Sequence, residues 1–212
     1  LSPSVFRDWG NFSRLGNYDN LRRLGWHTYI PQTLGGFAAR RHILIVGGYL
    51  GDSAEIWSGY SPKALHIFEP VPMFYEKIRE RFIDRPEFIT YQLALGHENG
   101  QINLRTEGDA TGKWASGVAL MAKQISLDEW LDRNEMELGL TEINIEGGEY
   151  ELLEGLSIEG LRRLGAIALQ FHFSENSFEI RRKMLREKLN FTHVQIFNLD
   201  LVWELWVPRA VA

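Results

Sequence analysis

The stretch "EINIEGGEYELLEG" at residues 142–155 gathers Glu142, Glu146, Glu149, Glu151 and Glu154 around a Gly-Gly pair. Its first letters read as a strand and its last as a helix, so the acids fall where a strand hands over to a helix. Carboxylates at such a turn can move a proton or hold a cation. Negative charge in a first helical turn is also favoured by the macrodipole, by about 0.3–1 kcal/mol. Glu149 fits either reading. Glu151 and Glu154 read as solvated helix face, and Leu152, Leu153 and Leu156 as core. His172 closes a later apolar run, "AIALQFHF". A neutral imidazole near pH 7 makes it the first candidate general base, with Glu146 second and Asn144 beside them.

A second group of residues follows the apolar run "HILIVG". In "VGGYLGD" (46–52), Gly47 and Gly51 permit a tight turn and a close backbone approach to a ligand. The candidate cradle is Gly47, Gly48, Tyr49 and Gly51. Glu69 ends the next apolar run, "ALHIFEP", where an acid accepts hydrogen bonds from both hydroxyls of a ribose. A dinucleotide would need a G-x-G-x-x-G phosphate cradle, and Tyr49 obstructs it. Asp52 at the following helix start adds repulsion. The pattern therefore favours a nucleoside ligand without phosphates, of which S-adenosylmethionine, with its cationic sulfonium, is the common one.

These residues need a scaffold. "HILIVG" (42–47), "ALHIFEP" (64–70), "EFITYQLAL" (87–95), "TEINIE" (141–146) and "AIALQFHF" (166–173) read as strands. Helical stretches separate them, such as "VPMFYEKIRERFID" with Phe74, Ile78 and Phe82 one turn apart. "HENGQINLR" reads as a turn and return strand. Residues 106–122 show no clean period and read as a mobile loop. Ser126 and Glu129 form a capping box for "LDEWLDR". A helix over about 177–188 leads to "THVQIF" and "LVWELWV", which pair antiparallel at one edge. His42, His66 and His193 read as packing residues within strands, and His27 and His97 as loop surface.

Alternating strands and helices give an α/β fold: a doubly wound, mostly parallel, seven-stranded sheet with an antiparallel last strand. Ligands bind such sheets beyond the carboxyl ends of the strands. Residues 1–40, rich in Gly, Asn, Arg and aromatics, read as a helical and loop cap on one domain spanning 41–212. Aromatics in residues 6–29, and Trp114, could close over an acceptor, or equally pack on the sheet or on a second subunit.

Composition limits the partners. The net charge of −5 argues against a general nucleic-acid binder. No apolar run is long enough for a membrane span. Cysteine is absent, which removes disulfides, thiolate metal sites and a Cys nucleophile. Without a signal-type segment, a cytoplasmic location is expected. No dense carboxylate cluster points to a metal. The seven Trp residues leave room for a subunit contact, and so for a homo-oligomer.

In order and spacing, "ILIVGGYLGDSAEIW", "HIFEPVPMFYEKI", "QLALGHENGQINL", "ISLDEWL", "EINIEGGEYELLEGL" and "ALQFHF" resemble the FkbM-type methyltransferases over roughly residues 41–207. The resemblance implies a Rossmann-like domain that uses S-adenosylmethionine to methylate a hydroxyl of a small molecule, natural product or glycan. By position it implies that Gly47 and Gly51 form the turn around the cofactor's methionine part. Glu69 would meet the ribose, and Gln92 and Ala94 the adenine. Glu146, Gly147 and Glu149 match the acidic signature, and His172 matches the histidine ending the fifth strand. Two positions depart: Ile45 stands where the family carries Asp, and Glu142-Ile143-Asn144 where it carries Lys-Ile-Asp. These departures define the alternative, a binding or scaffold domain that keeps the fold without turnover. An NAD-dependent oxidoreductase ranks lower for want of the phosphate cradle.

Overall fold

The β-branched and leucine-rich runs form the sheet because their alternate residues can be buried on both faces at once. The computed structural model describes residues 26–107, 110–112, 118–172, 178–199 and 203–211. Helix α1 (Trp26–Ala38) precedes β1 (His42–Val46), α2 (Asp52–Ser58), β2 (Ala64–Phe68), α3 (Pro72–Arg81) and β3 (Phe88–Tyr91). Next come β4 (Ala94–Gly96), β5 (Gly100–Glu107), β6 (Ala110–Gly112), β7 (Val118–Ser126) and α4 (Leu127–Arg133). The chain continues through β8 (Leu138–Ile143), α5 (Glu149–Gly155), α6 (Ile158–Arg162) and β9 (Ala166–Gln170). It closes with α7 (Phe178–Leu189), β10 (His193–Leu199), β11 (Trp203–Pro208) and a 3-10 turn.

Seven strands form the main sheet in the order β10-β11-β9-β8-β1-β2-β3. β11 is antiparallel to both neighbours, inserted between β9 and β10, and the other pairings are parallel. This is the expected doubly wound sheet with its antiparallel last strand. The strand order reverses between β1 and β8, so a crevice opens beyond their carboxyl ends. Two apolar layers flank the sheet. Ile43, Ile45 and Ile67 pack under α1, α2 and α3 with Tyr29, Leu34, Trp57 and Ile78. Leu44, Val46 and Phe68 pack on the other side with Trp130, Leu152, Leu161 and Leu185 of α4 to α7. The expected cap is in part α1, whose Tyr29, Ile30, Leu34 and Ala38 are buried in the first layer. The rest of the cap expectation, residues 1–25, lies outside the described residues.

Three expectations need correction. The third strand, read as 87–95, is two strands, β3 in the main sheet and β4 in a second, four-stranded sheet ordered β4-β7-β5-β6. The segment 106–122 is not simply a loop. It contributes β6 and the start of β7, which pairs with β5 from Gly100↔Gln124 to Thr106↔Val118. Trp114 lies outside the described residues. The fifth strand also ends earlier than read, at Gln170, which leaves His172 beyond it.

Candidate functional site

The tight turn after β1 is built from residues that other side chains could not replace. Gly47 has φ 96°, and a Cβ there would stand 2.0 Å from the Asn144 carbonyl oxygen. Gly51 has φ 84° and precedes α2. Tyr49 adopts a left-handed φ of 46°, a conformation that costs a non-glycine residue energy and recurs at ligand sites. The turn is fastened to β2: the Gly47 and Gly48 N–H groups donate to the Phe68 carbonyl at 3.0 and 3.1 Å.

Glu69 follows β2 and is almost fully buried. One carboxylate oxygen accepts from the Tyr49 N–H and the other from the Val71 N–H, both at 2.8 Å. Burial pushes its pKa up to about 7, with the backbone N–H groups of Val71, Tyr49 and Gly48 partly offsetting that push. Each oxygen keeps a free lone pair.

The turn after β8 is also strained. Glu146 has φ 51° and Gly147 has φ 98°. The Glu149 side chain is fully buried and folds back under this turn, accepting from the Ile145 and Gly147 N–H groups at 2.9 Å each. It therefore holds the turn together. His172 stands between two acids, its Nδ1 2.8 Å from Glu149 Oε1 and its Nε2 3.2 Å from Glu146 Oε1. Burial alone would lower the imidazole pKa. The hydrogen bonds and charges of Glu146 and Glu149 outweigh burial and carry it up to about 9. Both ring nitrogens of His172 face carboxylates, an arrangement that favours the charged imidazolium over the neutral imidazole expected of a general base at pH 7.

A cavity of about 500 Å³ opens beyond the strand ends. Gly47, Gly48, Tyr49, Glu69, Ala94, Asn144 and Glu146 all line it. Gly51 and His172 are not in its wall; they shape the turn and hold Glu146. Gln92 is a correction: it is exposed in the bend between β3 and β4 and does not line the cavity. Leu95 and Gly96 take that place, under a roof of Ile102, Leu104 and Gln124 from the small sheet. His27 and His97, read as loop surface, line it as well. The side chains of His66 and His193 are buried within strands, as expected.

Sequence reasoning missed Glu142 as a site residue. It lies on β8 beside Ile45 of β1 in the parallel register, and it lines the cavity at 5% exposure. Ser53 Oγ donates to one carboxylate oxygen and Trp57 Nε1 to the other, the latter at 2.5 Å. Burial raises its pKa, with the Ser53 and Trp57 bonds opposing. The available signal was an acid inside the otherwise apolar run "LGLTEI". Asn144, two residues on, has its Oδ1 buried without a hydrogen-bond partner.

The chemistry of the wall is one-sided. Asp52, Glu69, Glu142, Glu146 and Glu151 line the cavity, and among the described residues no Lys or Arg does. Such a lining repels phosphates and suits a ligand that carries positive charge.

No protein-family model matches the sequence, and no curated protein does either. Solved structures match in fold. Methyltransferase FkbM from Methylobacillus flagellatus KT matches with a TM-score of 0.54 at 13% identity, over 78% of this chain and 43% of that one. An rRNA methylase from Streptococcus thermophilus matches with a TM-score of 0.51 at 10% identity, over 84% of this chain and 92% of that one. This chain thus spans less than half of the first structure. At these identities the likeness is one of fold.

Proposed function

We propose that the chain is a methyltransferase that binds S-adenosylmethionine in this cavity and methylates a hydroxyl of a small molecule, natural product or glycan. The observation that carries the reading is the cavity wall. An almost fully buried acid, Glu69, is locked to a glycine turn at the switch point, within a lining that holds acids and, among the described residues, no Lys or Arg. The residues fit the cofactor. Glu69 keeps lone pairs for two ribose hydroxyls, and the Gly47–Gly48–Tyr49 backbone admits close approach. Ala94, Leu95 and Phe68 with the Ile102 and Leu104 roof form an apolar slot for adenine. When bound, the cofactor supplies an electrophilic methyl group on a sulfonium.

The chain's own task is to hold the acceptor oxygen in line and to take its proton. Positioning carries most of the acceleration, and proton removal adds about 10²–10⁴-fold. Glu146 is the proton acceptor in this reading, because it faces the cavity and His172 does not. His172, charged and fixed by Glu149, orients Glu146 from behind through the 3.2 Å contact. Asn144 faces the same space and completes the polar end of the wall.

The test is incubation with methyl-labelled cofactor and a panel of hydroxylated acceptors. Label should appear on at least one hydroxyl and fall by about 10²-fold or more in Glu146→Gln. Binding of S-adenosylhomocysteine with no transfer to any acceptor would favour the scaffold alternative. Stabilisation by NAD and not by S-adenosylhomocysteine would contradict the reading outright.

A further inference from the structure

We propose that the outer face of α7 is a self-association surface, through which the chain forms a two-fold dimer with a second copy of itself. The surface lies apart from the cavity and is independent of the proposed function. Ile180, Lys183, Met184, Glu187 and Phe191 form it, and none of them lines the cavity.

Helix α7 spends one side on the fold. Leu185 and Leu189 enter the core. Arg181 reaches Glu154, Arg182 and Arg186 reach the buried Glu204, and Lys188 donates to the Leu153, Glu154 and Leu156 carbonyls. On the other side Ile180, Met184 and Phe191 are 68%, 62% and 72% exposed. The Asn190 and Phe191 N–H groups donate to the Arg186 and Lys188 carbonyls, which carries the coil on past the end of α7. At about 100° per residue the three apolar side chains then fall within about 40° of one another. Single exposed apolar residues need no explanation, but three in one stripe do. Lys183 and Glu187 accompany the stripe, one turn apart. Both are exposed, and among the described residues neither makes an ion pair. Lysine N-terminal to glutamate is the weaker order for pairing within a helix, which leaves both charges available to a partner.

The pattern is self-complementary. A closed two-fold contact requires that each residue meet a counterpart whose own counterpart is the first. An axis crossing α7 at the level of Leu185 meets this requirement for the whole stripe at once. It lays the two helices antiparallel, with Lys183 opposite Glu187 of the partner subunit and Glu187 opposite the partner subunit's Lys183. The same axis sets Ile180 opposite Phe191 of the partner subunit and brings the two Met184 side chains together at the centre. Two ion pairs and an apolar seam thus come from one operation. Methionine suits the centre, because its unbranched thioether adapts to a facing copy. A pair of 12-residue helices buries less than the roughly 800 Å² per partner of a standard interface. The dimer is therefore weak, with a dissociation constant on the order of 10–100 µM.

Sedimentation velocity of the full chain, from micromolar to millimolar concentration, tests this. The wild-type chain should pass from monomer to dimer across the range. Lys183→Glu makes the facing charges all acidic and Glu187→Lys makes them all basic, so each alone should weaken association at least about tenfold. An equimolar mixture of the two variants should regain dimers, as should the double variant. Met184→Asp should remove dimers in either background. These positions are exposed, so each variant should melt near the wild-type temperature. A wild-type chain that stays monomeric throughout would overturn the inference; a lower melting temperature in Met184→Asp would then show that another part of the same chain covers the stripe. Dimers that survive both single charge reversals, or a mixture no better than its components, would also overturn it, by placing the contact elsewhere.

Discussion

Two titratable residues, the buried Glu69 and the half-buried His172, give the site its pH behaviour, and they act in opposite senses. Glu69 has its pKa raised to about 7 by burial, and in the proposed complex ribose hydroxyls would donate to its ionised form. Affinity for S-adenosylhomocysteine should therefore rise as pH climbs from about 6 to about 8, by at most about tenfold per unit. In Glu69→Gln that rise should vanish, as calorimetry at several pH values would show. His172 is raised to about 9 from the ordinary 6.5. A histidine whose folded pKa is raised stabilises fully below the unfolded pKa and loses that contribution as pH rises through the folded one. The melting temperature of the free chain should fall between about pH 6.5 and pH 9, and His172→Gln should flatten that fall. A wild-type melting curve unchanged across this window would contradict the two-carboxylate clamp. The roles of these residues were only half legible in the sequence. The acid after β2 was visible by position. The pinning of His172 was not, because Glu149 had to fold back under its own turn before it could reach the imidazole.

The strand-to-helix turns decide what can bind, and their glycines carry the tightest constraints. Gly47→Ala would combine a disfavoured positive φ with a Cβ 2.0 Å from the Asn144 carbonyl. It should cost more than about 1 kcal/mol and lower cofactor affinity further, since the turn must shift away from β8. Denaturant unfolding and titration of the variant would measure both; unchanged stability would place the turn differently from this account. Strands β1, β2 and β9 were readable because each is an apolar run close to a Gly or Pro and is buried along almost its whole length. The small sheet was not. β7 is mostly exposed or half-buried and lacks a clean alternation, so nothing in its period separates it from loop. The single run 87–95 concealed a break, since β3 and β4 join different sheets without a glycine or proline between them. That break is what carries Gln92 out of the cavity and brings Leu95 and Gly96 in.

At the scale of the whole molecule, the doubly wound sheet places its switch point between β1 and β8, and the small sheet roofs the crevice there. The likeness to solved methyltransferases reaches this architecture and stops at it. The wall at the strand ends holds Asp52, Glu69, Glu142, Glu146 and Glu151 and, among the described residues, no Lys or Arg, a lining that suits a ligand carrying positive charge. No helix among the described residues is long and apolar enough to cross a membrane. In the proposed complex this cavity holds an adenosine-bearing cofactor through Glu69. Calorimetric titration of the purified chain with S-adenosylhomocysteine, beside a Glu69→Ala variant, tests it most directly. The unaltered chain should bind on the order of micromolar, and the variant at least about tenfold more weakly. No binding to the folded chain, or equal binding by both, would contradict it.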